Sequence, residues 1–293
     1  MIDFQKIDWF VAGISGGKDS TALVLYLVKE FFPQNNIPLD KLICIFADTQ
    51  NESDKTYKHI LKISYEIHPV QWLESEGFYN LAKRKKRFPS TKARFCTTEL
   101  KLEPSKQFME TLEGTVLSVS GVRRDESKER ADAPEFSNGF DSYHGFPTWR
   151  PLVEWTLEDV FLIHKRYNFP LNPLYYLGFS RVGCLPCIMS RKKEIRLIGK
   201  LMPERIDFLE EQETTFEGRS SFHSFFARNA VPERYRTYEI ETLTGEKIKI
   251  GTIRDVVEWS KTTDNKRTSN YDFHFEDYED AFEESSCMAG VCE

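Results

Sequence analysis

Apolar and polar positions fall into alternating blocks along the first two hundred residues. An apolar run from Trp9 to Ile14 stops at Ser15-Gly16-Gly17-Lys18-Asp19-Ser20, and a second apolar run, Thr21 to Phe32, follows at once. A continuous short run, a glycine turn and a longer run of good helix formers predict strand, turn and helix. Lys41 to Thr49 (KLICIFADT) and Gly114 to Ser120 (GTVLSVS) are β-branched and continuous, as buried strands are. Helices are expected over Asn51–Ile63, from Phe78 towards Lys86, and over Thr97–Leu112, where Pro104 marks a kink or break. Ser64 to Val70 reads as a weaker strand, and Asp132 to Gly145 as a loop. Thr156, with Asp159 three positions on, caps a helix whose apolar face is Val160, Ile163 and Tyr167. His164 on that helix reads as a satisfied, partly buried residue.

From Ser190 to about Glu213 the pattern is helical. A hairpin turning at Thr244-Gly245 and a helix capped by Thr252 follow. The alternation predicts an α/β fold: a doubly wound, mainly parallel sheet over residues 1–200. A mostly helical and irregular extension, with an acidic cysteine-containing tail, occupies 201–293.

The first turn carries the candidate chemistry. Gly16 and Gly17 can take positive φ and let an anion approach the backbone. The following helix points unpaired N–H groups and the positive end of its dipole at that anion. Ser15, Ser20 and Lys18 add two hydroxyls and a cation, making a phosphate cradle. It is not the ordinary P-loop, because Ala12 and Asp19 stand where that pattern needs Gly and Ser or Thr. Two other strand ends join it. Ala47 and Asp48 lie at a carboxyl end, where α/β sheets bind ligands. After Gly121, which permits a turn, Arg123, Arg124 and Arg130 offer planar donors matched to phosphate or sulfate oxygens.

Composition narrows the setting. The chain has 293 residues, 40% of them hydrophobic, with net charge −6. No apolar run reaches the ~18 residues of a membrane span, and the N-terminus lacks a signal-peptide layout, so a cytoplasmic protein without a membrane partner is expected. After Arg267 there are eight acidic residues and no Lys or Arg, so the rest of the chain stands at −6 + 8 = +2. The basic run from Lys83 to Arg94 reads as a solvated face or as a mobile loop closing on a nucleotide or a nucleic-acid backbone. Six cysteines in such a protein point to metal binding or reactivity rather than structural disulfides. Cys44 lies within a strand and reads as core. Cys184 and Cys187 have the two-residue spacing that turns both thiolates to one metal. Cys96, Cys184, Cys187 and a tail cysteine, with Cys292 ahead of Cys287, would make a four-thiolate set for a [4Fe–4S] cluster, with Zn²⁺ as the alternative.

SGGKDS resembles the signature of the PP-loop ATP pyrophosphatases. GVRRDES is similar to an element of sulfonucleotide reductases and their relatives, as is the stretch from Trp155 through Asn172-Pro173-Leu174 to Cys184 and Cys187. Together these identify residues 9–200 as resembling the adenine-nucleotide α-hydrolase-like superfamily, within the phosphoadenosine phosphosulfate reductase family. The resemblance implies ATP held by Ser15, Gly16, Gly17, Lys18, Asp19, Ser20, Ala47, Asp48, Gly121, Arg123, Arg124 and Arg130. It implies Mg²⁺ on Asp19, and cleavage of ATP to AMP and pyrophosphate. An acceptor is then adenylated for sulfur transfer, as in thiolation enzymes for tRNA and phosphorothioate DNA, with a cysteine desulfurase or thioredoxin-like donor. Cys287 would be a nucleophilic or persulfide-carrying thiol. The alternatives are a reductase forming sulfite from a sulfonucleotide, and a nucleotide-binding subunit without turnover. An intact Lys18-Asp19 favours the triphosphate. One departure stands against a family-type cluster: Phe95 precedes Cys96 where the family has adjacent cysteines.

Overall fold

The computed structural model describes residues 2–139, 145–215, 223–242 and 244–262. Strands β1 (Trp9–Gly13), β2 (Leu42–Ala47), β3 (Val70–Leu73), β4 (Val116–Val119), β5 (Phe136–Ser137) and β6 (Thr148–Trp149) form one sheet in the order β3-β2-β1-β4-β6-β5. All pairs are parallel except β5 with β6. β1 lies centrally, with Ala12 beside Cys44 of β2 on one side and Val119 of β4 on the other. The connections after β1 and β4 therefore diverge and open a crevice at their carboxyl ends.

Helices α1 (Lys18–Tyr26) and α2 (Phe32–Gln34) are joined by a π-helical turn, Leu27–Phe31, into one helical run. Further along are α3 (Asp54–Glu66), α4 (Phe78–Lys85), α5 (Phe95–Thr97), α6 (Glu103–Glu110), α7 (Leu157–Arg166) and α8 (Pro173–Tyr176). Successive β1 side chains take opposite faces of the sheet. Phe10 and Ala12 join the large core with Leu23 of α1, Ile60 of α3 and Ile163 of α7. Val11 joins Ile45, Leu73, Val116 and Met109 of α6. The doubly wound α/β architecture is thus present. Among the described residues no helix is long and apolar enough to cross a membrane.

Several element boundaries differ from the sequence reading. α3 continues through Ser64, and the next strand starts only at Val70, after Pro69, which has no N–H to give a ladder. The stretch expected as a loop contains β5, too short for any periodicity to register. The helix expected over Thr97–Leu112 starts as α5, passes through a π-helical turn at Thr98–Leu102 and resumes as α6, with Pro104 in the first turn, where a missing N–H costs little. The run after Ser190 is two helices, α9 (Lys192–Leu201) and α10 (Pro203–Glu213), separated at Met202.

The hairpin β7 (Tyr238–Glu241) and β8 (Lys247–Ile250) and helix α11 (Ile253–Ser260) complete the chain. A second core gathers Ile195, Ile206, Leu209, Phe225 and Ile253 with Phe78, Leu81, Phe88, Leu100, Leu174 and Leu185 from before residue 200. Within it Glu213 is fully buried, and its carboxylate accepts the N–H groups of Phe225 (2.8 Å) and Ile253 (3.0 Å). Burial outweighs those bonds and pushes its pKa up to about 7 from 4.5. The folded chain therefore holds an extra proton between those values. Stability should fall as pH rises through that window, by on the order of 2–3 kcal/mol. Urea denaturation at pH 5 and pH 8 should show this slope, and Glu213→Gln should flatten it.

Candidate active site

The turn Ser15–Ser20 leaves β1 at the crevice. Ser15 N–H donates to Ser20 Oγ (3.2 Å), the two hydroxyls lie 3.1 Å apart, and Ser20 and Thr21 hydroxyls both donate to Gly17 O. Gly16 has φ +70, and a Cβ there would stand 3.1 Å from Ile60 and Thr56 of α3. Gly17, expected to use the same freedom, is instead an extended N-cap at φ −86, as the position before a helix requires. Gly121 serves close packing, since a Cβ on it would stand 3.0 Å from the backbone O of Asp19.

Three buried side chains from one distant segment hold this backbone. Asn172 Nδ2 donates to Gly16 O (2.9 Å), the Tyr175 hydroxyl accepts Lys18 N–H (3.1 Å), and His164 Nε2 lies 3.0 Å from Lys18 O. His164 Nδ1 lies 3.0 Å from Phe169 O, so both ring nitrogens are partnered. Sequence reasoning noted this stretch only as a family match. The available signal was Asn172-Pro173, a capping residue followed by a helix-starting proline. Asp19 and Ser20 N–H remain as first-turn donors with no intrahelical acceptor.

The charges meet at Asp19. Its Oδ2 accepts from Lys18 Nζ and its Oδ1 from Arg123 Nε, each at 2.6 Å. Burial would raise its pKa, but Lys18 and Arg123 overcome that and hold it at about 2. Lys18 is itself raised: burial works against its charge, and Asp19 more than compensates. Arg123 is only 2% exposed and also donates to Asp125 and Trp155 O. Arg124 and Arg130 are not part of this group. Arg124 bonds Ala133 O and Glu154, and Arg130 pairs with Glu126. At the end of β2, after Ala47, the Asp48 carboxylate accepts from the Tyr57 hydroxyl (2.9 Å) and Gln50 N–H (2.8 Å).

The described cysteines are Cys44, Cys96, Cys184 and Cys187, all unpaired. Cys44 is buried in β2, as expected of a core residue. Cys184 Sγ lies 3.2 Å from Thr49 Oγ1 and 3.5 Å from Glu52 Oε1. Burial, with Glu52 adding to it, pushes that thiol up to about 12. Lys101 Nζ lies 3.8 Å from Glu52 Oε1, and the other oxygen of this buried carboxylate has no hydrogen-bond partner among the described residues. Glu52 and Lys101 carried no sequence signal. No three His, Cys, Asp or Glu residues among those described are arranged to hold a metal ion. A protonated Cys184 beside a carboxylate is unlike a cluster ligand. The described thiols therefore do not fit a metal centre by themselves, and Cys287 and Cys292 lie outside the described residues.

The basic run is folded rather than a free loop. Lys83–Lys85 form the last turn of α4, and Ser90 and Ala93 bridge a turn. Arg84 pairs with Glu76 and Glu99, Lys85 with Glu99, and Arg87 lies over the Phe95 ring. The neutralising acids flank the run in sequence.

Residues 10–190 match the phosphoadenosine phosphosulfate reductase domain. The chain is 32% identical to the uncharacterized 37.8 kDa protein in gpa 5'region of Escherichia phage 186, over 97% of this chain and 96% of that one. It is 31% identical to the adenosine 5'-phosphosulfate reductase of Allochromatium vinosum, over 38% of this chain and only 39% of the reductase. Among solved structures, phosphoadenylyl-sulfate reductase from Candida auris, a phosphate complex, superposes with a TM-score of 0.47 at 18% identity, covering 61% of this chain and 82% of that one.

Asp19→Asn would leave a buried guanidinium without its charge partner. We expect a loss of about 3–5 kcal/mol, the range for breaking a buried pair, measurable by urea denaturation without any ligand.

Proposed function

The chain belongs to the phosphoadenosine phosphosulfate reductase domain family, and from that premise we propose that it is an ATP pyrophosphatase that adenylates an acceptor for sulfur transfer. The observation that carries this reading is the buried Lys18–Asp19–Arg123 group beside the first turn of α1. A triphosphate brings negative charge to a helix N-terminus that already holds a buried ammonium. Lys18 would leave Asp19 for the β- and γ-phosphates and neutralise the departing pyrophosphate. The acceptor oxygen bonds to the α-phosphorus, the bond to the bridging oxygen breaks, and pyrophosphate leaves with the electron pair. Arg123, enclosed against Asp19, acts by keeping that carboxylate ionised and in place. Asp19 is then the residue to hold Mg²⁺, which would supply charge neutralisation at the phosphates. Ala47 and Asp48 would meet the adenosine. Arg124 and Arg130 would reach an anion only by giving up Glu154 and Glu126.

The finer assignments rest on the same reading. The acceptor is a nucleic acid in the thiolation enzymes this chain resembles, and Lys83, Lys86, Lys92 and Arg94 are the basic-run residues to meet one. Cys287 would carry sulfur from a desulfurase or a thioredoxin-like donor. A [4Fe–4S] cluster on Cys96, Cys184 and Cys187 would need Cys292 or another fourth ligand from outside the described residues. The adenylation above takes no step through it. Reduction of a sulfonucleotide to sulfite is the second reading, favoured by the relatives named adenosine 5'-phosphosulfate reductase.

With labelled ATP and Mg²⁺ we expect AMP and pyrophosphate, and Lys18→Ala should lower the rate at least ~100-fold, the usual effect of losing a group that stabilises developing charge. Sulfite from adenylyl sulfate and a thiol, with ATP inert, would establish the reductase instead. Nucleotide binding without either product would leave a subunit without turnover. Iron and acid-labile sulfide in anaerobically purified protein, lost in Cys184→Ser, would establish the cluster.

A further inference from the structure

We propose that the Tyr175 hydroxyl is a phosphate-binding group of the Ser15–Ser20 turn, accepting the Lys18 N–H and donating its own O–H to an oxygen of the bound anion. This rests on the reading that the turn receives a nucleotide's phosphates. At an ordinary anion-binding helix terminus the first N–H groups meet the anion directly. Here the Lys18 N–H ends on Tyr175 Oη, 3.1 Å away. The cradle is therefore extended by one hydroxyl at that position. The oxygen lies against the bare face of Gly17, 3.4 Å from where a Cβ would stand, so it belongs to the turn itself.

The geometry is built to keep that oxygen in place. Tyr175 is 2% exposed, and its ring packs with Phe161, Leu171 and Val182. Asn172 caps the short helix that carries it, accepting Leu174 N–H at 3.0 Å, while its amide donates to Gly16 O. One rigid block therefore holds both the carbonyl side of the turn and its first amide. Only the rotation of the O–H bond is left to suit a ligand. Burial, and the charge on Asp19 with it, raises the phenol further above its ordinary value, although Lys18 opposes this. The hydroxyl thus keeps the proton it must donate. An N–H donated to its oxygen polarises the O–H bond and strengthens it as a donor.

The test is calorimetric titration of pyrophosphate, Mg²⁺-ATP and adenosine into the full-length protein and Tyr175→Phe. Loss of a hydrogen bond to a charged group should weaken pyrophosphate and ATP by about ten- to a hundredfold. Adenosine, which carries no phosphate, should bind equally to both. Unchanged or tighter ATP binding in Tyr175→Phe would overturn the proposal, the latter making the hydroxyl a plug that the anion displaces. An equal loss for adenosine would overturn it too, because it marks a purely structural role. If the wild-type protein binds neither ATP nor pyrophosphate, the nucleotide reading falls and this inference with it. If wild type binds and the variant does not differ, only this inference falls. Replacement of Tyr175 by 3-fluorotyrosine keeps the ring packed and sharpens the donor. It should tighten pyrophosphate binding, and weaker binding would count against the proposal.

Discussion

A buried carboxylate shared by two cations organises the crevice of this protein. Asp19 is held by Lys18 from its own helix and by Arg123 from the connection after β4. The two connections diverge from neighbouring parallel strands, and the ion group joins them where they part. Little is gained from such a group in isolation, because taking three charges out of water is costly. Removing one member is costlier still, since the others stay buried. That asymmetry fixes the first turn of α1 relative to β4 and stores a cation where an anion is to arrive.

The backbone of the turn is fixed separately. His164, Asn172 and Tyr175 come from a segment about 150 positions later in the chain and touch Gly16 and Lys18 through their main-chain atoms. Gly16 faces Ile60 and Thr56 so closely that only a glycine fits. The turn is thereby pre-shaped by α3 on one side and by the α7–α8 segment on the other. A binding site on preset backbone loses less conformational freedom when its ligand arrives.

The thiol region is a different kind of environment. Cys184 faces Thr49 and Glu52, with Lys101 close to the same carboxylate. It lies beyond the end of β2, so it adjoins the same edge of the sheet as the turn. Arg205 ties this region to the C-terminal helices by donating to Leu185 O (2.5 Å) and Glu52 O (2.6 Å). The helices after residue 200 thus brace the cysteine segment, and they share a core with α4 and α8.

By itself the sequence determined the strands, the turn and the architecture. Trp9–Ile14, Lys41–Thr49 and Gly114–Ser120 are long enough, and apolar enough, to name their own conformation, and SGGKDS marks its turn by composition alone. Those are local properties, encoded in neighbouring residues. Pairing is not local. Nothing adjacent to Arg123 says that it will be sealed against Asp19, while Arg124, next to it, turns to Glu154 and the surface. Nothing near Tyr175 says that its hydroxyl will take an amide proton from Lys18. Tertiary structure also divided the basic run among Glu76, Glu99 and Phe95, and set a protonated Cys184 beside Glu52. In each case the outcome depends on which groups burial brings within hydrogen-bond reach. A one-dimensional pattern does not carry that distance.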